Sequence, residues 1–115
     1  MSKSDARLKR EIAPFSYGLK EVNSIKPVWF RYNGLAETTA GELHAGVIAQ
    51  ELEVVAPRLV ETEAIRLRPQ DEKPTSIRKV NYSRIDFALI RAVQEQQAQL
   101  DELKGRLCRE QGHCL

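Results

Sequence analysis

Cysteine is nearly absent: two of 115 residues, Cys108 and Cys114, both in the C-terminal stretch CREQGHCL. They read as two reduced, incidental thiols of a cytoplasmic protein. With His113 they make three soft ligands in a chain end, whereas structural zinc usually takes four from ordered chain, so no metal is expected. Charge of one sign is lacking too. The 18 basic and 16 acidic residues are well mixed and leave a net +2. No concentrated basic face results, and nucleic acid is not expected as a partner. Long apolar runs are missing, which excludes a membrane-spanning segment and the apolar core of a signal peptide. No internal repeat is visible.

What is present is a globular balance, 42% hydrophobic and 30% charged, in a chain of one-domain length with a modest core. Leu8, Ile12, Phe15, Leu19, Val22 and Ile25 recur at spacings of three and four, the period of helical turns. Pro14 and Gly18 interrupt the run, so a short first element precedes a helix near Tyr17 to Ile25, stopped by Pro27. VWFRY is dense in β-branched and aromatic residues and reads as a strand. The Asn33–Gly34 turn signal opens a polar stretch leading to a second strand. HAGVIAQELEVVAPRLV reads as a strand end running into a short helix closed by Pro57. RLRPQDEKPTS is a polar loop, and IRKVNYS a last strand.

From Ser83 onward IDFALIRAVQEQQAQLDELKGRL is rich in strong helix formers. With Leu100 at heptad position a, the a and d sites are Leu89, Val93, Gln96, Leu100, Leu103 and Leu107, all apolar except Gln96. That is a coiled-coil seam, and Gln96 is the kind of polar interruption that sets register or strand number. A helix of about 25 residues spans about 37 Å and outruns a core made by the preceding chain. Self-association is expected. The fold class is therefore α+β: a globular part of short strands and helices over residues 1–83, a coiled-coil helix over 84–110 and a tail over 111–115.

The opening MSKSDARLKREIAPF places Ser4 and Asp5 five and four residues ahead of Lys9. One reading is a turn or helix start, since Ser and Asp accept hydrogen bonds from free backbone N–H groups. The other is a nucleophile beside its base. A serine hydroxyl attacks well only when something takes its proton, and a lysine amine does so only in its neutral form, which desolvation or a neighbouring cation favours.

Four stretches in order, SDARLKREI, IKPVWFRYN, HAGVIAQELEVVAPRLV and VNYSRIDFALIRAVQEQQAQLDELKGRL, resemble the C-terminal intramolecular chaperone and auto-processing domain of phage tail spikes and tail fibres, of which the endosialidase tailspike is the best-known host. The SDxRLK opening followed about forty residues later by GxIAQE is the specific part. The resemblance implies a homotrimer whose partner is the upstream tail spike or fibre polypeptide, working in the host cytoplasm during virion assembly. It implies serine autoproteolysis with Ser4 as nucleophile, Lys9 as base and Ser4–Asp5 as the cleaved bond, and no cofactor. His44 is a possible supporting residue that orients the site or stabilises the oxyanion. Gly46 fits a place of close backbone approach, and Gln50 and Glu51 fit hydrogen bonds across the site or between subunits. Arg7 and Arg10 read as solvated charges or as electrostatic help. The family domain follows a long fibre, while three residues precede Ser4 here, so the chain reads either as a shortened piece or as a stand-alone chain. A trimerisation module that never cuts is the alternative.

Overall fold

A computed structural model describes residues 2–112. The chain is α+β, with two small antiparallel sheets and one long C-terminal helix. The first sheet pairs β1 (Val28–Phe30) with β2 (His44–Gly46), matching Val28 to Gly46 and Phe30 to His44. Between them, Gly34 takes φ 90°, a left-handed turn conformation that the Asn33–Gly34 pair suits. The Asn33 carboxamide oxygen accepts from the Leu35 N–H at 3.0 Å there. The second sheet is a hairpin of β3 (Val60–Ile65) and β4 (Thr75–Val80), in register from Val60 opposite Val80 to Ile65 opposite Thr75.

Among the described residues there are two short α-helices and one long one, α1 (Leu19–Asn23), α2 (Ala49–Val55) and α3 (Tyr82–Gln111). α1 is shorter than the Tyr17–Ile25 helix expected from periodicity, because Gly18 caps it and Ser24 ends it. The β2-to-α2 passage follows expectation, as does the stop before Pro57. α3 begins at Tyr82 because the Asn81 side chain accepts from the Arg84 N–H at 3.2 Å, an N-cap that takes residues from the end of the expected IRKVNYS strand. At 30 residues it spans about 45 Å.

The core lies where α2 and the turn after it meet the hairpin and the start of α3. Leu52, Ala56 and Leu59 are buried, with Phe15, Tyr17, Ile25, Val47, Val80 and Ile85 packed around them. α1 packs on α3, and Ala88 and Ala92 of α3 are buried. Of the expected seam, Leu89, Val93, Leu100 and Leu103 are exposed and Leu107 is half-buried, with Leu89 beside Val22 and Ile25 at the edge of the globular part.

The proportions are extended. The chain exposes 9609 Å², against about 6,400 Å² for a compact monomer of this mass. Its radius of gyration is 20.4 Å, against about 13 Å for a compact domain of this length. Cys108 is disulfide-bonded, which corrects the reduced thiol expected at that position. His113 and Cys114 lie outside the described residues.

Candidate active site

The N-terminal turn is built by Asp5. Its carboxylate accepts from the Arg7 N–H at 2.9 Å, capping a single 3-10 turn over Ala6–Leu8. The turn is closed by Leu8 N–H to the Asp5 carbonyl at 3.0 Å and by Lys9 N–H to the Ala6 carbonyl at 3.2 Å. The same carboxylate holds the Arg7 guanidinium through Nε at 3.1 Å and Nη2 at 2.8 Å. The guanidinium beside it keeps the Asp5 carboxyl below its ordinary range, and the Arg7 value is raised in return.

This turn reverses the chain so that residues five apart meet. Lys9 Nζ donates to Ser4 Oγ at 2.7 Å. At that separation a neutral amine is within reach to take the hydroxyl proton. Both side chains are exposed, as is the whole segment from Ser2 to Pro14. Leu8 and Ile12, on either side of Lys9, are 67% and 74% exposed. The segment carrying the pair therefore presents unburied apolar side chains of its own.

His44 stands elsewhere in the fold, on β2. Its ring stacks on Phe30 with centroids 5.6 Å apart and meets Tyr32 edge-on at 5.2 Å. Gly46 is a point of close approach: a Cβ there would run into the Tyr82 hydroxyl and the Phe30 ring. Gln50 and Glu51 are exposed in the first turn of α2. Gln50 lines an open cavity of about 620 Å³ together with Phe30, Tyr32 and Tyr82. Arg10 is exposed.

Two contributors escaped sequence reasoning, and a third was read only as a turn start without its partner. The Tyr82 hydroxyl accepts from the Val47 N–H at 3.1 Å, tying the start of α3 to the GVIAQE stretch. The Tyr17 hydroxyl accepts from the Arg58 N–H at 3.0 Å. Such long-range tyrosine bonds leave no local pattern. The third, the Asp5–Arg7 clamp, did leave one: an Asx residue two positions before an N–H that it caps. The turn-start reading of the opening and the nucleophile–base reading are thus compatible, since one turn contains both arrangements.

The family of peptidase S74 type described as chaperone of endosialidase matches residues 4–61. The match begins at Ser4, takes in Asp5, Lys9, His44 and Gly46, and ends inside β3. No curated protein matches the sequence.

Proposed function

The chain belongs to the chaperone of endosialidase family, and from that premise we propose that it is a self-releasing intramolecular chaperone domain. It trimerises through the α3 seam, promotes trimeric folding of an upstream tail spike or fibre polypeptide in the host cytoplasm, and then detaches by serine autoproteolysis at Ser4–Asp5. Ser4 is the nucleophile and Lys9 its base. The observation that carries this reading is the 2.7 Å hydrogen bond between Lys9 Nζ and Ser4 Oγ.

Assembly is supported by the exposed seam and by a surface about 3,200 Å² larger than a compact monomer of this mass shows, several times the ~800 Å² that one partner contributes to a standard interface. Assembly also supplies what the single chain lacks. Lys9 is in solvent, and burial against a neighbouring copy would favour its neutral, proton-accepting form. Cutting then follows trimer formation, as a folding checkpoint requires.

The exposure of Ser4 and Lys9 also favours a second reading, a trimerisation module of the same fold that does not cut. Fusing the chain behind a trimeric stem and measuring intact mass separates the two. Self-release that is lost in Ser4→Ala supports the autoprotease, and an uncut wild-type trimer supports the module.

A further inference from the structure

We propose that Asp5, the residue on the leaving side of the scissile bond, is a positioning residue that fixes the chain's own cleavage specificity by capping the turn that delivers Lys9 to Ser4. The inference rests on the autoprotease reading and adds to it where the requirement for Asp comes from. Specificity at this position is ordinarily the work of a pocket that receives the side chain. Here the Asp5 carboxylate receives no pocket: it turns forward along its own chain, onto the Arg7 N–H at 2.9 Å and the Arg7 guanidinium at 3.1 and 2.8 Å.

That clamp holds the turn on the leaving side of the bond. Asp5 has extended backbone angles, φ −65° and ψ 131°, and Lys9 likewise, φ −118° and ψ 147°, with one tight turn between them. A turn of three residues flanked by extended ones brings Lys9 back over Ser4, giving the 2.7 Å contact. Without the cap the Arg7 N–H is unpaired, and an exposed turn is left with the Leu8–Asp5 and Lys9–Ala6 backbone hydrogen bonds and the Lys9–Ser4 contact alone, so it opens to solvent more often. Asp5 acts through Lys9 and does not itself exchange a proton with the reacting atoms. Any side chain able to accept from the Arg7 N–H should therefore serve in proportion to its capping strength, in the order Asp, Asn and Ser ahead of Ala. Glu, one methylene longer, misses the cap despite its charge.

The test uses the full chain fused to a trimeric stem. Asp5→Ala should slow self-release about tenfold, as expected for loss of a cap held from two sides. Asp5→Asn and Asp5→Ser should stay within about threefold of wild type, Asp5→Glu should resemble Asp5→Ala, and Arg7→Ala should fall between. Adding hydroxylamine, which intercepts an ester, should not restore Asp5→Ala, because the attack by Ser4 is the step impaired. In parallel, amide hydrogen exchange on the chain carrying Lys9→Ala, which cannot cut, should show the amides of Arg7 and of position 9 protected with Asp5 present and less protected in Lys9→Ala with Asp5→Ala. Wild-type release by Asp5→Ala would overturn the proposal. So would Asp5→Asn as slow as Asp5→Ala, since the charge and not the cap would then matter, or restoration by hydroxylamine. If no variant, wild type included, releases itself, the autoprotease reading fails, while the exchange data still decide whether Asp5 holds the turn.

Discussion

The Tyr82 hydroxyl accepts a hydrogen bond from the Val47 N–H at 3.1 Å, so the first residue of α3 is bound to the segment just after β2. Gly46 makes the approach possible, because a Cβ at that position would occupy the space of the Tyr82 oxygen. The helix that carries the seam and the sheet that carries His44 are thereby joined at one point. Gly46→Ala should push them apart and cost about 1–3 kcal/mol, as overpacking does. Urea denaturation measures this. Adding Tyr82→Phe should recover part of the loss, because the oxygen is gone while the Phe30 edge remains; a double variant as weak as the single one would place the clash elsewhere.

A second prediction concerns the core. Leu59 is fully buried beside Leu52 and Ala56. Leu59→Ala should lower stability by about 2–4 kcal/mol through lost transfer energy and an unfilled cavity. Val54, 84% exposed one turn away on α2, gives the contrast: Val54→Ala should change the denaturation midpoint little. Equal effects would mean that assembly, and not the single-chain core, governs Leu59.

Much of this architecture was legible in the residues. The long C-terminal helix needs only a period of three and four, and of its expected seam the structure leaves Leu89, Val93, Leu100 and Leu103 exposed and Leu107 half-buried. The Asn33–Gly34 turn and the stop before Pro57 are written in single residues with narrow backbone preferences. The strand β3, in contrast, was not anticipated. VETEAI carries apolar residues only at its ends, because both faces of the middle are exposed and Glu63 instead pairs with Lys79 at 3.3 Å. A strand held by its partner's backbone and by cross-strand charges shows no apolar alternation. At the site, the Ser4 and Lys9 spacing was readable, but the turn that brings them together depends on Asp5 taking one particular partner.

Assembly should depend on Leu100. In the single chain it is exposed at the middle of the seam, and in an assembled coil a carboxylate there would be buried without a partner. Leu100→Asp should give monomers by light scattering at micromolar concentration, where the wild type gives trimers. The same variant in a stem fusion should release itself poorly although Ser4 and Lys9 are intact, if contact with a neighbour is what dries the site. A wild-type monomer at that concentration would sink the trimer, and normal release by a monomeric variant would uncouple cutting from assembly.

The Asp5 carboxyl also sets a pH window. Its value lies below the ordinary 3.8 because the Arg7 side chain and then the Arg7 N–H favour the charged form. A group depressed in the folded state contributes stability above its unfolded value and loses that contribution as pH falls through its folded value. Protection of the Arg7 amide in Lys9→Ala should therefore persist from neutral pH down to the ordinary carboxyl range and weaken below it, toward the level of the neutral cap in Asp5→Asn. Asp5→Asn should keep its protection flat across the same range. A wild-type profile as flat as that of the amide variant would mean that the Arg7 guanidinium adds nothing to the cap.

The last prediction concerns which bond breaks. Attack by Ser4 Oγ on its own carbonyl carbon forms a new C–O bond and breaks the bond to the Asp5 nitrogen. The hydroxyl proton passes to Lys9 and from there to that nitrogen, which becomes a free amine. Water then opens the ester and leaves a Ser4 carboxylate. The ester so formed is a strained four-membered ring, so the reaction depends closely on how the hydroxyl is held and on where its proton goes. Lys9→Ala should slow release by about a hundredfold or more, the usual share of general-base help. Lys9→Arg should fail as well, because a guanidinium keeps its proton. Both should remain trimeric. The released fragment should begin Asp5-Ala6-Arg7 on N-terminal sequencing. A fragment beginning at Ser4 would show that the hydroxyl attacks the Lys3 carbonyl through a less strained five-membered ring, moving the cut by one residue while keeping both partners of the 2.7 Å pair in their roles. Release of the Asp5 fragment by Ser4→Ala would remove Ser4 from the chemistry altogether and leave it a neighbour of the turn that Asp5 caps.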